Sequence, residues 1–112
     1  MSLFFINCSS QDQIKTISTE ELKTLINKEN IQLLDVRAPN EVKEGYIEKA
    51  LFVNFYNTNF TEKAIKKLNI KKPVYLYCRT GNRSGKAANL LLNKGFVVYN
   101  VLGGYSKWKQ EN

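Results

Sequence analysis

The feature that most limits what this chain can fold into is its alternation of short apolar runs with segments of helical periodicity. Ile31-Gln32-Leu33-Leu34-Asp35-Val36 is a mostly apolar run ending in polar residues, as expected of a strand covered on both faces. Ile14 to Ile17, Ala50 to Phe55, Val74 to Tyr77 (opened by Pro73) and Phe96 to Val101 have the same character. Helix signals lie between them. Ser18 and Glu21 have capping-box spacing, and Leu22, Leu25 and Ile26 share one face of a helix ending near Lys28 to Asn30. Pro39 and the acidic run through Glu44 predict a short helix stopped by Gly45. Thr58 or Thr61 caps a helix through Lys67 or Leu68. Ser84 to Lys94 forms another, with Ala87, Leu90 and Leu91 facing inward and Gly95 at its C-terminal end. Gly103-Gly104 turns the chain, and Tyr105 to Lys109 forms a last helical turn carrying Trp108, a packing residue by its type. This alternation predicts an α/β fold, a central and mostly parallel sheet of about five strands with helices on both faces.

The length, 112 residues, supports one core, so we expect a single domain over residues 14–112 behind a flexible tail over residues 1–13. No apolar run approaches the roughly 20 residues of a membrane span. The net charge of +7 comes from scattered lysines, densest at Lys63, Lys66, Lys67, Lys71 and Lys72. With no basic block, this is the pattern of a solvated surface, and no nucleic-acid partner is expected. Nothing in the sequence bears on oligomeric state. Phe5 to Ser10 vaguely resembles the end of a bacterial lipoprotein signal in which Cys8 would carry lipid, but Asn7 is a poor match for the small residue such signals prefer. A cytoplasmic location is therefore expected, the alternative being the cell envelope if Cys8 is the lipoprotein cysteine of a truncated precursor.

Chemistry concentrates in Tyr77-Cys78-Arg79-Thr80-Gly81-Asn82-Arg83-Ser84. Here a cysteine closes an apolar strand and a short loop leads into a helix. In parallel α/β sheets ligands bind beyond the carboxyl ends of the strands, where Cys78 lies. Free N–H groups at a helix N-terminus favour thiolate, the nucleophilic form of cysteine. Gly81 permits positive φ, and Asn82 tolerates left-handed geometry, so consecutive amides can turn inward as an anion nest. Arg79 and Arg83 would draw an anionic substrate, and a persulfide with its negative outer sulfur suits such a cradle. The chain has no histidine, which removes a cysteine–histidine dyad. Cys8 and Cys78 form no CxxC pair and no zinc pattern, so no metal is expected. The plainer alternative for Cys78 is an inert buried thiol, but arginine and glycine are odd companions for one.

From about Lys15 to Trp108 the chain resembles the rhodanese-like family of single-domain sulfurtransferases. Leu33-Leu34-Asp35-Val36-Arg37 is similar to that family's LLDVR strand end, and Glu44 to Ala50 to its GHIPGA stretch. Tyr77 to Ser84 matches its active-site loop, and Val101 to Trp108 its LxGGxxxW signature. The resemblance implies transfer of a sulfane sulfur from thiosulfate or a similar small anionic donor to a thiol or protein acceptor. Cys78 would be the nucleophile and persulfide carrier, with no cofactor. It further implies that Arg79, Thr80, Gly81, Asn82, Arg83 and Ser84 bind substrate, while Asp35 and Arg37 support the loop or form a purely structural pair. The loop spans six residues from Cys78 through Arg83, whereas related phosphatases use a loop one residue longer, sized for phosphate. A persulfide carrier without turnover or a protein-interaction module is the alternative, and a small phosphatase or an arsenate reductase is disfavoured by loop length. Tyr46, Glu48 and Lys49 replace the family's usual histidine, proline and glycine, a change expected to alter local conformation more than catalysis.

Overall fold

The computed structural model describes residues 13–112; residues 1–12 of the expected tail, Cys8 among them, lie outside the described residues. In chain order the elements are β1 (Lys15–Ile17), α1 (Thr19–Lys28), β2 (Gln32–Asp35), α2 (Pro39–Val42), β3 (Leu51–Phe52), α3 (Phe60–Lys67), β4 (Val74–Tyr77), α4 (Asn82–Leu92), β5 (Val98–Val101) and α5 (Gly104–Glu111). The five strands form one sheet in the order β1-β5-β4-β2-β3, and every pairing is parallel. β4 is the central strand between β5 and β2, and β4 and β2 are buried along their whole length.

Period-2 alternation divides the core between the two faces of the sheet. On one side Leu34 and Val36, Val74, Leu76 and Cys78, and Val98 pack with Phe60 and Ala64 of α3 and Ala87, Ala88 and Leu91 of α4. On the other, Leu33, Tyr75, Tyr77 and Val101 pack with Leu22 of α1, and Tyr105 and Trp108 of α5 close over them. The Ser18 capping box starts α1, with hydroxyl-to-amide and carboxylate-to-amide bonds of 3.0 Å each.

Several boundaries differ from expectation. β3 covers two residues rather than Ala50 to Phe55, yet the next amides still reach over the end of β2, Val53 N to Asp35 O at 3.1 Å and Phe55 N to Val36 O at 3.0 Å. α4 begins at Asn82, two residues before Ser84, so the cysteine loop runs straight into the first helical turn. It ends at Leu92 because Gly95 turns the chain with φ +96°, and the Phe96 amide folds back to Leu91 O at 3.2 Å. β5 therefore starts at Val98 rather than Phe96. Leu90, expected inside, is exposed. α5 is a full helix through Glu111, held to α1 by a 2.6 Å hydrogen bond from the Thr19 hydroxyl to the Glu111 carboxylate.

The turn at Ile47 to Ala50 closes, with Ala50 N donating to Ile47 O at 3.2 Å. Lys49 completes it at φ +70°, the left-handed region where the family's glycine sits freely. No other non-glycine among the described residues adopts positive φ. The substitution thus keeps the turn and loads it with backbone strain. Lys49→Gly should raise stability by about 1 kcal/mol, read as a higher urea midpoint at unchanged slope. An unchanged midpoint would show that the lysine side chain compensates elsewhere.

Candidate active site

β4 delivers Cys78 to the carboxyl edge of the sheet, flanked by the ends of β2 and β5. The side chain is 1% exposed and caps the core under α4. Its sulfur nonetheless faces polar donors. Gly81 N donates to Sγ at 3.1 Å, and the Ser84 hydroxyl lies within donating distance at 3.4 Å. Gly81 stands at φ +114° immediately before α4, which swings its N–H toward the sulfur while its carbonyl accepts the amide of Gly85 at 3.1 Å. Burial by itself pushes the Cys78 thiol up. The Ser84 hydroxyl and the amides of Ser84, Gly81 and Thr80 outweigh it, and the net shift is downward from 9.0.

The remaining loop residues divide by role. Thr80 and Asn82 expose their side chains, so Thr80 contributes its amide. Arg79 extends into solvent, 69% exposed. Arg83 is 16% exposed and tied down, its two terminal nitrogens donating to the two Glu41 carboxylate oxygens at 2.8 Å each. Its guanidinium also lies 5.6 Å from the ring of Tyr56. Arg79 Nε stands 3.7 Å from the same carboxylate. The geometry therefore brings the two arginines together, but around a glutamate of α2 that the sequence reading did not single out.

Asp35 and Arg37 form a buried pair beside the loop. Arg37 Nε donates to both Asp35 oxygens at 3.0 and 3.1 Å, and a terminal nitrogen donates at 2.7 Å to Asp35 and at 2.7 Å to the Gly45 carbonyl. The Arg37 guanidinium lies 4.3 Å from the Tyr105 ring. None of the pair's hydrogen bonds goes to Cys78. It holds α2, Gly45 and α5 in place around the strand ends, which is support at one remove.

Four other residues shape the site in roles that were not anticipated. Asn100 of β5 lies 2.6 Å from the Ser84 hydroxyl, competing with Cys78 Sγ for its single proton, and donates to the Gly81 carbonyl at 3.1 Å, tying both ends of the nest to the sheet. Tyr105 N donates to Cys78 O at 2.8 Å, and Ser106 N to Arg79 O at 3.0 Å. Gly104 allows that approach. A Cβ there would come within 2.6 Å of the Cys78 and Arg79 carbonyl oxygens. The double glycine was visible in the sequence as a turn and as part of the LxGGxxxW signature, but not as a wall of the cysteine site. No group of metal-binding side chains occurs among the described residues.

Two measurements test these electrostatics. Alkylation of Cys78 by iodoacetamide, followed on the peptide that contains it, should rise through an inflection below pH 9.0, and Ser84→Ala should move that inflection upward. An inflection unmoved in the variant would assign the shift to the amides alone. The Arg83 hydrogen bonds hold Glu41 down to about 2, against burial, which raises it; the ordinary value is 4.5. A depressed carboxylate stabilises fully above pH 4.5 and loses that contribution as pH falls toward about 2. The stability gap between wild type and Glu41→Gln should therefore narrow through that acid window, as read by urea midpoints, and a constant gap would contradict the ion pair.

Comparison with known proteins agrees with this geometry. The Rhodanese-like domain family model matches residues 18–111. The chain is 40% identical over 96 residues to the uncharacterized protein YqhL of Bacillus subtilis, covering 85% of this chain and 72% of that one. It is 36% identical over 97 residues to the thiosulfate sulfurtransferase GlpE of Coxiella burnetii, covering 85% and 87%. Among solved structures, the rhodanese-like domain protein of Staphylococcus aureus superposes with a TM-score of 0.76 at 31% identity, over 85% of this chain and 91% of that one. With its parallel sheet, its cysteine loop and a match running nearly end to end, the chain belongs to the rhodanese-like domain family.

Proposed function

We propose that this protein is a sulfurtransferase that carries a sulfane sulfur on Cys78. The Cys78 thiolate attacks the outer sulfur of thiosulfate or a similar donor. The donor's S–S bond breaks, its electron pair leaves with sulfite or the corresponding thiolate, and Cys78 becomes a persulfide. A thiol, cyanide or protein cysteine then attacks the outer persulfide sulfur and regenerates the thiolate. The observation that carries this reading is the set of donors aimed at Sγ. Gly81 N and the Ser84 hydroxyl already face it, with the Thr80 and Ser84 amides beside them. Donors so placed stabilise negative charge as it moves onto the second sulfur. The proposed compartment is the cytoplasm, where thiol acceptors stay reduced.

One further observation favours delivery to a protein acceptor. A cleft of about 620 Å³ next to α2 is floored by Pro39, Val42, Phe52 and Val53 and edged by Lys63 and Lys66. Its charge suits an acidic partner surface. In this second reading the protein is a persulfide carrier that turns over small acceptors slowly.

Intact mass spectrometry after incubation with thiosulfate tests the central claim. Wild type should gain the mass of one sulfur atom, located on Cys78. Cys78→Ser should gain none while keeping its far-ultraviolet circular dichroism spectrum. Sulfur transfer retained in the serine variant would refute the assignment.

A further inference from the structure

We propose that Glu41 sets the charge of the sulfur donor, so that the site takes singly charged persulfides in preference to dianionic thiosulfate. This rests on the persulfide chemistry proposed above and concerns which donors serve it. The Glu41 carboxylate occupies both arms of the Arg83 fork at 2.8 Å and lies 3.7 Å from Arg79 Nε. It is fixed there, because one of its oxygens also accepts the Ala38 amide at 3.1 Å. Glu41 therefore stands where a sulfonate would otherwise pair with Arg83.

The neighbouring charges do not restore the attraction. Arg37 is spent on Asp35 and the Gly45 carbonyl. Lys109 and Glu44 border the hollow beside Arg79 and offset one another. Once Cys78 is a thiolate, two arginines face one carboxylate and one thiolate, so this set sums to zero, and Lys86, which lines the adjoining hollow with Gly81 and Asn82, is a further cation beside the loop. A dianion gains little Coulomb energy in such a field, and it must break a bidentate ion pair to reach the Arg83 fork. A persulfide brings at most one negative charge on its reactive sulfur and needs only the amide nest. Cys78 thiolate attacks that outer sulfur, the S–S bond breaks, and the donor leaves as a thiolate carrying the electron pair.

The test is single-turnover loading of the protein with thiosulfate or with cysteine persulfide, followed by the mass of the Cys78 adduct. Wild type should load faster from cysteine persulfide. In Glu41→Gln, which keeps an oxygen for the Ala38 amide, the ratio of thiosulfate to persulfide rate should rise about tenfold, because one opposing charge is gone. Glu41→Ala should move the ratio the same way even if both rates fall through a loosened α2. A ratio unchanged in both variants while both donors load Cys78 would overturn the role of Glu41 and leave the persulfide chemistry standing. Failure of both donors to add sulfur to wild type and variants would overturn the sulfurtransferase reading and this inference with it.

Discussion

Everything at this site depends on the orientation of a few peptide planes. For amides to face Cys78 Sγ, the carbonyls of the same peptides must point outward, and a buried carbonyl needs a donor. The start of α5 provides it for the Thr80 amide's peptide, with Ser106 N on Arg79 O, and Tyr105 N on Cys78 O anchors the residue before it. Those bonds require α5 to pack against the loop backbone with no side chain between, which Gly104 permits at φ +56°. The glycine pair near the chain's end is thus a part of the cysteine loop, although Gly103 lies 25 positions after Cys78. The nest exists because two helix N-termini meet from opposite sides, α4 offering amides inward and α5 offering them outward.

A second layer keeps that arrangement rigid. Asn100 ties the Ser84 hydroxyl and the Gly81 carbonyl to β5, so the first turn of α4 cannot rotate away from the sulfur. On the opposite side, Arg37 is pinned by Asp35 and lies over Tyr105. A buried pair of this kind is costly to desolvate, and its value lies in the geometry it imposes. It locks α2, the Gly45 turn and α5 to the end of the central strand, and through α2 it positions Glu41. Support and electrostatics are therefore coupled, since the residues that fix the frame also place the carboxylate that tempers the arginines.

The basic surface and the site are separable matters. The net charge of +7 arises mainly from exposed lysines, whereas the cysteine mouth is nearly balanced by Glu41. Long-range attraction of anions and short-range acceptance of them follow different groups of residues. Composition alone would have suggested a site hungry for anions. The distances around Arg83 argue for one that is selective about them.

What the sequence determined by itself was everything carried by local pattern. Alternating periodicity specified the strands and helices, the Ser18 and Glu21 spacing specified the start of α1, and the glycines marked where helices end and turns begin. The six-residue loop after an apolar strand identified Cys78, because a strand end followed by a helix start forces amides into its vicinity. Tertiary structure alone decided which partners those residues found. Glu41 meets Arg83 across 42 positions, and Asn100 reaches Ser84 across 16. Neither pairing has a local signature, since each forms only when parallel strands bring distant loops to one edge of the sheet. The helix start at Asn82 and the left-handed Lys49 were decided the same way, by packing that overrode the preferences of the individual residues.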